Sequence, residues 1–380
     1  MAKSVQDFKL KGKRILLRAD FNVPLNEKGE IEDDFRIRQT LPTIQYLIGK
    51  GAKIILISHL GRPKGRSKKF SLKPISLKIE ELLGKKIKFT NKEKVGNIRE
   101  GEVVLMENLR FYPGETENDK GFAQKLSKLG EIYINDAFSV CHRAHASVVG
   151  VPKILPSGMG FLLQNEIDIL SGVTKNPKRP LIAIVGGVKL STKIGVIKNF
   201  LKIADHLLLG GKIFEPFLMA KGILIGKGSL PEEMEKELEE INLTNPKIHL
   251  PVDGVISLSG LEEDYLHKSA IGRVRKDECI FDIGPETIKL FSLLIKSAGT
   301  IIWSGPMGYF EREPFDIGSK SIVQAIVKNY SAFKIAGGGE TNMFLAKYGF
   351  REKFNHISTG GGAMLAFLAG NKLPGIEALK

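Results

Sequence analysis

Arginines and histidines recur just beyond apolar runs in the first part of the chain. They sit in RADFNVP (18–24), SHLGRPKG (58–65), ENLRF (107–111) and SVCHRAHASVVG (139–150). A guanidinium is a planar fork of donors that matches the oxygens of a carboxylate or a phosphate. If these loops meet at one sheet edge, they bring Arg36, Arg62, Arg110 and Arg143 together, with His59, His142 and His145 as added donors. Such a cluster repels itself until a multiply charged anion enters. Taken singly, each arginine reads as a surface ion-pair partner of little energetic weight. Recurrence in successive loops is what argues for a site.

The later part offers glycines and backbone amides. VGGVKLSTK (185–193) places Gly186 and Gly187 after an apolar run, then Lys189 and Lys193 four apart. On a helix those lysines would share a face beside its positive N-terminus, where phosphates bind. WSGPMGYFE (303–311), AGGGET (336–341) and STGGGA (358–363) combine glycines with hydroxyl or acidic residues. Glycine lets backbone N–H groups come close to phosphate. One such triplet is as readily a turn. Several, each after a predicted strand, argue for a nucleotide site. The chain has no GxxxxGK followed by Ser or Thr, no GxGxxG and no HExxH. The usual P-loop, dinucleotide, protein-kinase and zinc-protease readings therefore fall away.

These loops need a scaffold, and 380 residues are enough for two cores. Composition is ordinary for a globular protein, 42% hydrophobic and 26% charged. No apolar run reaches membrane-spanning length, and MAKSVQDFKLKGKR has no apolar signal core, which predicts a cytoplasmic location. Cys141 and Cys279 are too few for a disulfide framework and read as small buried fillers. The net charge of +15 is concentrated early: the first 150 residues hold 29 Lys and Arg against 18 Asp and Glu. That favours anionic partners.

Short apolar runs alternate with helical patterns. RILLRAD (14–20), KIILIS (53–58), VVLME (103–107) and IYIND (132–136) read as strands, with helices over 35–50 and 74–84 between them. The rhythm restarts with LIAIV (181–185), a helix from about Ser191, and HLLLG (206–210). CIFDIG (279–284), TIIWSG (300–305) and FKIAGGG (333–339) are read as later strands of the same kind. Alternation of this sort predicts parallel sheets covered by helices. Residues 151–180 separate the two series, with prolines flanking one amphipathic stretch, read as an interdomain helix with flexible flanks. In open parallel sheets ligands bind beyond the carboxyl ends of the strands, where the unusual residues lie.

RADFNVP, SHLGRPKG, DAFSVCHRAHAS, GPMGYFE and STGGGA, in this order across essentially the whole chain, resemble the phosphoglycerate kinase family. The resemblance implies an α/β fold of two Rossmann-like three-layer lobes with parallel sheets, joined by an interdomain helix. The acid-substrate domain would be 1–158, the helix 159–174 and the nucleotide domain 175–357. A segment 358–380 would return to the first domain, its tail from about Leu373 folding back. The implied reaction is reversible phosphoryl transfer between 1,3-bisphosphoglycerate and ADP, giving 3-phosphoglycerate and ATP, with Mg2+, in a cleft closed between the lobes. By position, the acid substrate would meet Asp20, Phe21, Asn22, Arg36, His59, Leu60, Gly61, Arg62, Arg110 and Arg143. The nucleotide would meet Gly186, Gly187, Lys189, Lys193, Gly211, Glu311, Gly338, Gly339, Glu340 and Thr341, with Glu340 at the metal. Arg36, Lys189, Lys193 and Gly361 would act on the transferring group. A monomer is taken by default, in the cytoplasm, with neither nucleic acid nor membrane expected as a partner.

Three positions depart from the family pattern: Glu340 for the usual Asp, Ser304 for Asn, and Lys212 for a glycine near the base. A kinase for another short acid remains a rival reading. A nucleic-acid-binding module is a weaker one, because aromatics are only 8% and the basic loops contain few.

Overall fold

The computed structural model describes residues 2–91, 95–223, 225–226, 230–258 and 265–380. It divides into two units, one running to Asp168 and including Lys372–Lys380, the other Ile169–Asn371. Each of the two is built on a Rossmann-like parallel sheet.

The first unit holds β1 (Lys3–Ser4), β2 (Arg14–Arg18), α1 (Phe35–Gly49), β3 (Lys53–Ile57), α2 (Lys73–Leu83), β4 (Ile87–Thr90) and β5 (Val103–Met106). Then come α3 (Pro113–Thr116), α4 (Lys120–Ser127), β6 (Ile132–Asn135) and β7 (Ser157–Met159). The seven strands lie in the order β1-β7-β6-β2-β3-β5-β4, all parallel. Ile15, Leu16 and Leu17 are all fully buried, as a strand covered on both faces requires. α1 turns Ile37, Ile44 and Leu47 into the core, and α2 stops at Gly84, whose left-handed φ of 59° ends the helix. The chain leaves β2 for β3 on one side, while β6 lies on the other. The carboxyl ends of β2, β3 and β6 therefore flank a topological switch point.

α5 (Phe161–Lys175) starts in the first unit and continues into the second. Its N-terminal flank is not a loose linker, since 157–159 pair as β7 with β6 and β1. A short strand centred on glycine gives little hydrophobic pattern to read.

The second unit holds β8 (Leu181–Val185), α6 (Ile194–Ile203), β9 (His206–Leu209), α7 (Glu215–Ala220), α8 (Glu232–Glu239), β10 (Ile248–His249), β11 (Asp253–Leu258), β12 (His267–Ala270) and β13 (Glu278–Ile283). α9 (Pro285–Ser297), β14 (Thr300–Ser304), α10 (Ile317–Lys328), β15 (Phe333–Gly337), α11 (Gly339–Lys347), β16 (His356–Ser358) and α12 (Gly362–Leu368) follow. The main sheet has the order β10-β9-β8-β14-β15-β16, so its switch point falls between β8 and β14. CIFDIG does not join this sheet. It forms β13 of a separate three-stranded sheet, antiparallel to β11. An apolar run specifies burial, but not whether its partner runs parallel or antiparallel.

Residues 358–371 stay with the second unit, where α12 packs on α6 and the Asn199 side chain donates to Leu368 O. Lys372–Lys380, carrying α13 (Pro374–Glu377), group with the first. There Gly375 N–H donates to Cys141 O at 2.8 Å.

Asp136, fully buried, caps α5: its Oδ1 accepts from Leu162 N and Leu163 N at 2.9 and 3.2 Å. Burial outweighs those bonds and pushes its pKa up to about 7. A raised carboxyl pKa means that the folded state holds the proton more tightly than the unfolded one. Its stabilisation is therefore full below the unfolded value and is lost as pH rises through about 7. Asp136→Asn keeps the two acceptor bonds and removes the titration. Denaturation of both proteins between pH 4 and 7 should show the wild type losing up to roughly 4 kcal/mol relative to the variant. Parallel stability curves across that window would show that the carboxyl is already ionised in the fold.

Candidate active sites

In the first unit the switch point is occupied by cations. Arg18, at the end of β2, is fully buried. Its Nε donates to Ser147 Oγ at 2.9 Å, Nη1 to Ala19 O, and Nη2 to His59 Nδ1 at 3.2 Å. Arginine can only donate, so His59 Nδ1 is the acceptor and its proton sits on Nε2. Asp20 takes Arg36 Nη1 at 2.8 Å and the Ser139 hydroxyl at 2.5 Å on one oxygen, with His59 Nδ1 3.8 Å from the other. Asn22 Oδ1 accepts from Gly61 N at 2.7 Å, and Gly61 O accepts from Arg110 Nη1 at 2.5 Å. Asn108 ties these loops by donating to Leu60 O and Phe70 O while accepting from Arg110 N. Arg143 Nε donates to His142 Nε2 at 3.2 Å.

The electrostatics are those of an anion cradle. Burial, and then Arg143 and Arg18, pull the pKa of Arg110 down to about 10. Arg143 is lowered by burial and by Arg62. His59 is held well below its usual range by burial, then by Arg18, Arg110, Arg36 and Arg143. Burial, with Arg110 and Arg143, brings His145 to about 4. Arg110 Nη2, His142 Nδ1 and His145 Nδ1 are buried without a hydrogen-bond partner among the described residues. Groups so placed need a partner from outside.

In the second unit the loops after β8, β9 and β14 are laced by backbone hydrogen bonds. Gly186 N donates to Ser304 O, Gly187 N to Pro306 O, Lys212 N to Gly187 O and Gly211 N to Met307 O. Gly187 has φ +89°, and a Cβ there would lie 2.7 Å from Glu340 Oε2 and 2.9 Å from Lys193 Nζ. Lys193 is buried, and its ammonium donates to Gly186 O and, at 3.3 Å, to Ser304 O. Burial lowers its pKa to about 8, with Glu340 opposing the shift. Beside these groups lies a cavity of about 300 Å³, lined by Gly187, Gly211, Lys212, Phe281, Tyr309, Glu311 and Glu340 among others. Ile280, Phe281 and Pro306 make its walls largely apolar, and Val188 and Tyr309 are exposed at it. Exposed apolar groups around a concavity mark a ligand site.

The structure thus gathers Asp20, Asn22, Arg36, His59, Gly61, Arg110 and Arg143 in one unit, with the exposed Arg62 near enough to act on Arg143. It gathers Gly187, Lys193, Gly211, Glu311 and Glu340 in the other. Phe21 and Leu60 are buried, so only their backbone is available to a ligand. Gly186 is packed beneath Pro306 O. Lys189 does not share a helical face with Lys193: residues 190–192 form a 3-10 turn, α6 begins only at Ile194, and Lys189 is exposed. Thr341 Oγ1 accepts from Gly305 N at 2.7 Å, holding the loop after β14. Gly338 and Gly339 open α11 without lining the cavity. Gly361 precedes α12 facing open space. Lys212 lies over the Phe281 ring at 5.5 Å and pairs with Glu215 at 2.8 Å. Ser304 is buried, away from the cavity lining.

Arg18, Ser139, Glu115 and Phe281 were not singled out from sequence. The signal for Arg18 is a charge directly after the apolar run Ile15–Leu17. Phe281 gives none, because its place depends on the separate antiparallel sheet.

Comparison with known proteins agrees over the full length. The family model described as phosphoglycerate kinase matches residues 5–371. The phosphoglycerate kinase of Dictyoglomus turgidum is 45% identical, the match covering 99% of this chain and 98% of that one. That of Thermosipho africanus is 44% identical over 99% and 97%. The solved structure of the Coxiella burnetii enzyme superposes with a TM-score of 0.87 at 38% identity, covering 100% and 99% of the two chains. The Pyrococcus horikoshii structure gives 0.86 at 33% over 100% and 98%.

The cation cluster has a direct spectroscopic consequence. In free protein His145 should titrate near 4, and inorganic phosphate should move it upward by neutralising its arginine neighbours. Nitrogen-15 NMR of the imidazoles reads both. A midpoint near 6.5 without phosphate would mean that water already screens the cluster.

Proposed function

The chain belongs to the phosphoglycerate kinase family, an ATP-dependent phosphotransferase family, and from that premise we propose which of its residues carry the transfer. The acid binds in the first unit and the nucleotide in the second. The observation that carries this assignment is the pairing of a cation cradle with unmet donors in one unit with an apolar, glycine-edged cavity in the other. Neither unit holds both sets, so transfer needs both.

In the ADP-phosphorylating direction, a β-phosphate oxygen of ADP attacks the acyl phosphate phosphorus of 1,3-bisphosphoglycerate. The bond from that phosphorus to the acyl oxygen breaks, and 3-phosphoglycerate leaves as a carboxylate. Neither nucleophile needs a general base, because a phosphate or carboxylate oxygen is already ionised. What remains is positioning and charge stabilisation. The 3-phosphate and carboxylate take the donors of Arg62, Arg110, Arg143 and His59, with Asp20 and Asn22 facing the hydroxyl and fixing the loops. Arg36, oriented by Asp20 and by Asn22 O, is assigned to the transferring group. Lys189, Lys193 and the amides around Gly361 meet that group from the nucleotide side. The base lies against Phe281 and Tyr309, and Glu311 takes the ribose.

A magnesium ion fits this donor set. The Glu340 carboxylate lines the cavity beside Lys193, and among the described residues no group of three or more metal-type side chains offers an all-protein site. One carboxylate plus phosphate oxygens is a common magnesium arrangement. The ion would neutralise phosphate charge and supply Lewis-acid stabilisation. Both ligand sites are built from residues of this chain, which supports action as a monomer. The cations that form the cradle are largely recessed, which suits a small anion better than a nucleic-acid backbone. No described helix is long and apolar enough to cross a membrane.

The primary test is a coupled assay for 3-phosphoglycerate-dependent use of ATP, with acetate and glycerate as alternative acceptors. Equal turnover of either alternative would overturn the assignment of the acid. Arg36→Ala should lower kcat by about two orders of magnitude or more, with a smaller rise in KM. A near-normal kcat with a raised KM would reduce Arg36 to a binding group. Glu340→Gln should raise the magnesium concentration needed for half-maximal rate, while Glu340→Asp keeps substantial activity. An unchanged magnesium titration in Glu340→Gln would remove the carboxylate from the metal.

A further inference from the structure

Beneath the acid cradle lies a carboxylate that contributes nothing to its surface. Glu115, in α3, is fully buried. Its Oε2 accepts from Ser147 N at 2.9 Å and its Oε1 from Ser147 Oγ at 2.6 Å. Ser147 belongs to the wide turn Ala146–Gly150, a five-residue π-helical stretch of a kind often found at functional sites. That turn is fixed from other sides too: Tyr133 OH donates to Ser147 O at 2.6 Å, and a Cβ on Gly375 would meet Val148 Cγ1 at 2.6 Å.

The donors and acceptors in this chain can run in one direction only. Arg18 Nε donates to Ser147 Oγ, because arginine has no acceptor. The serine proton must then go to Glu115 Oε1. With Oε2 taking a backbone N–H, both carboxyl oxygens accept, which is the carboxylate form. The other end of Arg18 donates to His59 Nδ1, which leaves His59 presenting Nε2–H.

We infer that Glu115 is a positioning residue for the acid site, fixing Arg18 through Ser147 and the tautomer and aim of His59 through Arg18. The inference rests on the assignment of the acid to this unit. The same carboxylate opposes the loss of charge on Arg110, so it also supplies counter-charge under the cradle.

A glutamine at 115 cannot accept on both atoms. One of the two Ser147 donors then meets an NH2 group, and the direction of the chain is no longer imposed. Glu115→Gln should raise KM for 3-phosphoglycerate about tenfold or more, the scale of a lost charge-assisted hydrogen bond, with kcat and KM for ATP changed less than about threefold. In the unliganded protein, nitrogen-15 NMR should show wild-type His59 as the Nε2–H tautomer and the variant as a mixture. Ser147→Ala, which deletes only the hydroxyl link, should shift both readouts the same way and answers the question if Glu115→Gln does not fold. Arg110→Ala is measured alongside. If Arg110→Ala raises KM for the acid while Glu115→Gln and Ser147→Ala leave KM and the His59 tautomer unmoved, Glu115 has no positioning role. If all three leave KM unmoved, the acid does not bind in this cradle, and the inference falls with that assignment.

Discussion

Arg18 ends β2 fully buried, after the buried Ile15, Leu16 and Leu17, and the groups around it answer to that charge. An unpaired buried ion costs several kcal/mol, so a fold that keeps one must surround it with acceptors. Here the acceptors are a backbone carbonyl, a serine hydroxyl backed by Glu115, and an imidazole nitrogen. Asp20, two residues on, holds Arg36 and Ser139. Arg110 is met on one side by Gly61 O and on the other by no described group. The cradle is therefore deliberately incomplete: enough counter-charge to fold, too little to be at rest without an anion.

Parallel topology makes this possible. Each strand of the first sheet ends at the same edge, so each loop can deliver one cation without a long excursion. The switch point beside β2 leaves a gap in the helical cover where those loops meet. In the second unit the same geometry delivers backbone instead of side chains. The loops after β8 and β14 approach so closely that a Cβ on Gly305 would meet Gly186 O. The buried lysine between them donates to carbonyls of both loops.

Much of this is legible in the sequence, for physical reasons. Strands buried on both faces need apolar centres, so the runs inside RILLR, KIILI and LIAIV are unmistakable, and the loops that follow them are then placed by topology. Arg36, His59, Arg110 and Arg143 were readable as a cluster because donors for an anion recur after successive strands. What failed to appear depends on long-range pairing. The direction of CIFDIG is set by its partner β11, so neither its antiparallel sheet nor the role of Phe281 as a cavity wall could be read locally. The spacing of Lys189 and Lys193 suggested a shared helical face. The 3-10 turn that separates them arises because Lys193 must reach back to the carbonyls of Gly186 and Ser304. Glu115, in the polar stretch ETENDK (115–120), looks like surface until Ser147 is brought onto it.

The contrast between the two sites follows from what each ligand offers for recognition. A phosphorylated three-carbon acid has almost no apolar surface, so it can be distinguished only by charge and hydrogen-bond geometry. Those discriminate well only where water is excluded and the donors cannot rearrange. On the proposed assignment, the acid side spends a buried arginine and a hidden glutamate on rigidity. A nucleotide carries a flat base, and on the proposed assignment apolar walls such as Phe281 and Pro306 would hold it without requiring a buried charge. Its phosphates can then be met by amides and by a single softened ammonium. With its pKa brought to about 8, Lys193 is held less firmly as a cation than a surface lysine, and a polyphosphate beside it would restore that charge. Arg110, brought only to about 10, keeps its charge at neutral pH, so the acid side relies on the fold to hold its cations in place.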